Sequence, residues 1–161
     1  NTMMKFRTIF AALALLIMPM TNAAMADDKT LVQAFYNYLS NPTSGVHAEA
    51  FKSATTEDWG SIGDYSGKIK TRDGFIGQVG GFGKLIPDLN WAVEEMIQQG
   101  DRVVVRSRAT GTPAGPLFGV DGKGKRFDIL TIDIHTIADG KIVRTYHVED
   151  WAGALRQLSA K

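Results

Sequence analysis

The chain of 161 residues contains no cysteine. That excludes disulfide cross-links, thiolate zinc sites and a thiol-linked lipid anchor. Charge of one sign is also missing, since 18 Lys and Arg stand against 17 Asp and Glu. Nucleic acid as a partner is excluded on that ground, because no basic excess is available to neutralise phosphates. There is no long apolar run either. The longest, Phe6 to Met18, is broken by Arg7 and Thr8. It falls short of the roughly 20 residues that span a bilayer.

What stands in that place has the form of an export signal. Lys5 and Arg7 precede the apolar run, Pro19 interrupts it, and Ala24-Met25-Ala26 offers small residues around a cleavage point. The expectation is a signal peptide over residues 1–26 and one mature domain over 27–161, periplasmic or secreted, with no membrane contact after cleavage. Removing Lys5 and Arg7 leaves 16 basic against 17 acidic residues, a net charge near −1.

No repeat or low-complexity tract divides the mature part. Asp28 to Ser40 carries Leu31, Ala34, Phe35, Tyr38 and Leu39 at helical spacing and stops at Asn41-Pro42. His47–Ala54 forms a second short helix in this reading. Residues 57–70, with their turn-prone composition, read mostly as loop. Thr71–Leu85 reads as a helix loosened by glycines.

The period then changes. Trp91–Gln98 and Arg102–Gly111 read as strands joined at Gly100-Asp101, which puts Glu95 opposite Arg106. Residues 112–124 form a Gly- and Pro-rich connection. Arg126–Ile137 and Lys141–Glu149 read as a hairpin around Asp139-Gly140, and Asp150–Leu158 as a closing helix. Helices followed by a run of antiparallel strands make the fold class α+β.

A two-residue turn at Asp139-Gly140 pairs Asp133 with Tyr146 and His135 with Arg144. One face then carries Asp133, His135, Arg144, Tyr146 and Asp150, taken here as the polar wall of a cavity. Leu130, Ile132 and Ile134 share the other face with Thr145, His147 and Glu149. A one-residue bulge would exchange these assignments beyond it.

Pro87-Asp88-Leu89-Asn90-Trp91, Gly100 to Arg106, Gly111-Thr112 with Gly115 and Gly119, and Asp139 to Val143 with Tyr146, Asp150 and Gln157-Leu158 resemble, as an ordered set, the SnoaL-like polyketide cyclase family. The resemblance implies a strongly curved antiparallel sheet wrapped around the N-terminal helices. This is the cone-shaped, cystatin-like α+β barrel shared with nuclear transport factor two and ketosteroid isomerase. It implies a pocket inside, a homodimer built sheet to sheet, and a general acid/base carboxylate near the end of the last strand. Asp150 matches that position, with His135 as its candidate partner. Many members carry a histidine directly after Gly-Thr; this chain has Pro113 there, so no role of that histidine transfers.

In an apolar cavity Asp150 would gain basicity and could remove a proton beside a carbonyl, with Tyr146 or His135 donating to the enolate. Cyclisation or isomerisation would follow without metal or organic cofactor. Asp150 is equally placed to cap the last helix. Asp133, Trp59, Trp91, Phe82 and Phe118 are the remaining candidates for the substrate-binding wall, and the four aromatics could simply be core. Two other readings stay open: a non-catalytic module binding a small apolar or aromatic molecule, and a dimeric interaction domain. Sharper motifs fail. Gly80-Gly81-Phe82-Gly83-Lys84 lacks the leading glycine and trailing hydroxyl of a phosphate loop. The three histidines lack zinc spacing, and no Gly-x-Ser-x-Gly elbow occurs.

Overall fold

A computed structural model describes residues 22–161. The apolar run assigned to an export signal lies outside these residues. The elements are α1 (Asn22–Ser40), α2 (Gly45–Ala54), β1 (Thr55–Ile62), β2 (Lys70–Thr71), α3 (Arg72–Leu85), β3 (Asn90–Gln99), β4 (Arg102–Gly111), β5 (Phe127–Ala138), β6 (Lys141–Glu149) and α4 (Trp151–Ser159). Six strands form one sheet in the order β2-β1-β6-β5-β4-β3. The helix-then-strand pattern is therefore α+β as expected. Every neighbouring pair is antiparallel except β1 and β6, which run parallel.

β1 and β2 correct the reading of residues 57–70 as mostly loop. β1 is polar and glycine-bearing, yet Trp59 and Ser61 are buried. Its partner β6 supplies the ladder that local propensity does not, so tertiary pairing overrides the intrinsic preference. Gly60 is required there: a Cβ would meet Ile69 Cγ2 at 2.4 Å.

Helix ends follow their caps. The Ser44 hydroxyl accepts from the His47 amide, Thr71 from Gly74 and Asp150 from Gly153. α1 packs across the concave face of the sheet with Val32, Phe35, Tyr36, Tyr38 and Leu39 buried. Tyr36 and Val32 belong to this face although the predicted apolar stripe omitted them. β5 alternates strictly. Phe127, Ile129, Thr131, Asp133, His135 and Ile137 point inward, while Leu130, Ile132 and Ile134 point outward.

The hairpin turns are as expected. Asp139 and Gly140 both have positive φ, 49° and 70°, as a type I′ turn demands. Gln99 pairs with Arg102, and Glu95 faces Arg106 with Nε–Oε2 at 3.4 Å.

Candidate active site

The register of the last hairpin decides what enters the hollow. Ala138 pairs with Lys141 and Ile137 with Ile142, but Val143 is then an extra residue, a β-bulge. Beyond it Thr136 pairs with Arg144, His135 with Thr145, Asp133 with His147 and Thr131 with Glu149. The expected pairs Asp133–Tyr146 and His135–Arg144 are thus shifted by one, and β6 presents its other face. Thr145, His147 and Glu149 point inward. Tyr146 lies outside, 44% exposed, against Ile62 and Tyr65 in a groove on the outer surface; it is not part of the cavity wall.

Asp150 also departs from its expected place. Its side chain is 51% exposed and accepts a 2.8 Å hydrogen bond from the Gly153 amide. It caps α4 and does not line the cavity. Trp59 is buried core rather than pocket wall and donates from Nε1 to Thr145 Oγ1 at 3.1 Å. Trp91, Phe82 and Phe118 do line the cavity.

That cavity encloses about 220 Å³ between α1, α3, β3, β6 and α4. One wall is aromatic: Phe82 stacks on Trp151 with centroids 5.5 Å apart, and Phe118 meets Trp151 edge-on at 5.6 Å. The polar groups facing it are Lys70, Gln78, His147 and Glu149.

Behind His147 runs a buried hydrogen-bonded series whose directions the donor and acceptor types determine. Burial pushes the Asp133 carboxyl upward, but the charge and hydrogen bond of His147, with His135 and Tyr36 behind them, outweigh it and hold the group below its ordinary range. An ionised carboxylate only accepts. The Tyr36 hydroxyl therefore donates to Asp133 Oδ2 at 2.7 Å. The Tyr36 oxygen is left to accept from His135 Nε2, 2.9 Å away. Full burial lowers the His135 pKa to about 4, so its ring is neutral and Nδ1 is an acceptor. Thr145 donates to it at 2.9 Å. The Thr145 oxygen in turn accepts from Trp59 Nε1, a group that only donates. Every assignment agrees with its neighbours.

His147 ends the series at the cavity. Its Nδ1 meets Asp133 Oδ1 and its Nε2 meets Glu149 Oε1. Burial disfavours its charge, but the Asp133 carboxylate, the two hydrogen bonds and Glu149 raise its pKa to about 10. His147 is an imidazolium donating at both nitrogens. Trp91 is held beside it by a 3.1 Å bond from Nε1 to Thr131 Oγ1, with the two rings 6.2 Å apart.

His135 and Asp133 are thus brought together as the sequence suggested, but behind the cavity wall. His147, Glu149, Tyr36 and Lys70 were missed. The readable signal was the Ile142-Val143 pair, two adjacent apolar residues that break the alternation at the start of β6.

A bent six-stranded sheet closed over helices, with an aromatic-walled hollow and an acid–imidazolium–acid series in its wall, defines a pocket protein of the cone-shaped α+β barrel class. The family model for SnoaL-like polyketide cyclase matches residues 30–158, and the chain belongs to that family. Solved structures agree on the fold. A protein from Jannaschia sp. CCS1 described as a SnoaL-like polyketide cyclase superposes with a TM-score of 0.72 at 23% identity, covering 84% of this chain and 94% of that one. IdmH from Streptomyces antibioticus, described as a polyketide cyclase, gives 0.72 at 23% identity over 83% and 99%. AclR from Streptomyces galilaeus, described as a hydroxylase, gives 0.71 at 21% identity over 85% and 98%. No curated protein sequence matches the chain.

Proposed function

We propose that the protein moves a proton on a carbonyl compound held in the cavity, with Glu149 as general acid/base. The observation that carries this reading is the position of Glu149. It is the carboxylate that faces the hollow, and the His147 imidazolium anchors its Oε1. Neighbours of the same fold are described by different reactions, so the chemistry is argued from the site.

A carbon beside one carbonyl, or between two, gives its proton to Glu149. The carboxylate becomes a carboxylic acid and the electron pair moves onto the carbonyl oxygen. The Lys70 ammonium, on the same wall, offsets the charge that develops there. The enolate then attacks a second carbonyl of the same molecule. A carbon–carbon bond forms, and the new alkoxide recovers the proton from Glu149: cyclisation. Reprotonation at another carbon gives isomerisation. Each step uses only groups of the chain.

The aromatic wall of Phe82, Trp151 and Phe118 also supports a second reading, in which an apolar or aromatic molecule is bound without turnover. The two readings separate by following exchange of an aryl ketone's α-hydrogens for deuterium by proton NMR. Glu149→Gln removes the exchange while the melting temperature stays within a few degrees. Exchange at the wild-type rate in that variant refutes Glu149 as the base. Bound ketone with no exchange in the wild type favours the second reading.

The N-terminal pattern supports a periplasmic or secreted site of action. The outward apolar side chains Leu130, Ile132, Ile134, Tyr146 and Val148 support a homodimer formed through the sheet.

A further inference from the structure

We infer that the substrate has two parts, a flat apolar head and an anionic tail, with the reacting carbon between them. The inference rests on the acid/base reading of Glu149 and specifies what that site takes.

The inner cavity does not stand alone. A wider groove of about 550 Å³ adjoins it on the outside. The two share Lys70, His147, Glu149 and Trp151. The proposed acid/base group therefore sits at the junction, and a molecule reaching Glu149 can extend in both directions.

The two spaces differ in chemistry. The inner one is bounded by Phe75, Phe82, Leu89, Trp91 and Phe118. A dry cavity of about 150 Å³ already holds a benzene ring, so about 220 Å³ suits a head of one or two rings. The outer groove carries Lys68 and Lys70. Neither forms an ion pair among the described residues. The acids beside them are otherwise engaged. Glu149 is tied to His147, and Asp64 accepts from the Ser66 amide at 2.8 Å. Lys68 and Lys70 thus bring to the groove two ammonium groups that form no ion pair with a carboxylate among the described residues. A carboxylate tail supplies the matching negative charge. A neutral polar tail would leave both ammonium groups unpaired.

The probe is 3-(2-naphthoyl)propanoate, an aryl ketone with an exchangeable methylene and a carboxylate two carbons further on, compared with its methyl ester. Binding is read by quenching of tryptophan fluorescence, since Trp91 and Trp151 line the inner space. The wild type is expected to bind the acid about fivefold more tightly than the ester at low salt, and Lys68→Gln to remove that preference without weakening the ester. Equal affinity for acid and ester, an acid preference that survives Lys68→Gln, or failure of both probes to bind overturns the inference. Deuterium exchange on the same two probes scores the catalytic reading separately. Exchange without acid preference sinks only the tail. Acid preference without exchange leaves the two-part ligand standing and sinks the catalysis.

Discussion

Two neighbouring acids in the sequence, Glu149 and Asp150, have opposite fates. Glu149 points into the hollow; Asp150 points out and holds the first turn of α4. Asp150→Ala should cost about 0.5–2 kcal/mol in a denaturant titration, the usual value of an N-cap, and leave proton exchange intact. Asp133→Asn should cost more, about 3–5 kcal/mol, because it strands a buried imidazolium. The same groups set the pH dependence. The His135 pKa is about 4 in the fold against 6.5 ordinarily. The native state therefore binds fewer protons than the unfolded chain in that interval, and acidification through it destabilises. Asp133, held below 3.8, adds to the loss further down. The His147 pKa is about 10 against 6.5, so its contribution is complete below 6.5 and drains away as pH rises through about 10. Thermal scans should show a maximum near 6.5 with a decline on both sides; a curve rising steadily across that range contradicts the assignments.

At the scale of elements, α3 carries five glycines that are not equivalent. A Cβ at Gly83 would meet the Pro42 ring at 2.6 Å, whereas at Gly81 it would meet nothing within 4 Å. Gly81→Ala should therefore raise stability by up to about 1 kcal/mol through helix propensity, and Gly83→Ala should lower it by about 1–3 kcal/mol through overpacking. Melting temperatures of the two variants decide this directly. The same contrast shows what is legible from sequence. The helix α3, the β5–β6 turn and the Glu95–Arg106 pair follow from local chemistry, namely a Thr71 cap, an Asp-Gly dipeptide and a two-residue loop. β1 does not, since its strand form depends on β6, far away along the chain. The bulge at Val143 is only half legible: the adjacent apolar pair Ile142-Val143 breaks the alternation, but no turn residue fixes the extra position, which moves every later side chain of β6 to the other face. The inward face of β5, by contrast, was read correctly although it is the more polar one. Thr131, Asp133 and His135 are buried while Leu130, Ile132 and Ile134 are exposed, the reverse of the usual alternation.

That reversal has a counterpart in the molecule as a whole. Inside, polar groups are paired in a closed series from Trp59 to Glu149; outside, the sheet presents apolar residues to its surroundings. Such a patch is expected to be covered by another protein surface, and the proposed sheet-to-sheet dimer covers it on both copies at once. Leu130→Lys with Ile132→Lys should give a monomer by light scattering, with deuterium exchange retained because neither residue borders the inner cavity or the outer groove. A wild-type chain that is monomeric at the same concentration removes the dimer from the account.

The charge state of His147, which anchors Glu149, decides whether the proposed acid/base chemistry can stand. Nitrogen-15 NMR of the imidazole groups at about pH 8, where an ordinary histidine is neutral, tests it most directly. His147 should carry protons on both nitrogens, and His135 should be neutral with its proton on Nε2. A neutral His147, or His135 protonated on Nδ1, would contradict the hydrogen-bond order on which the site is built.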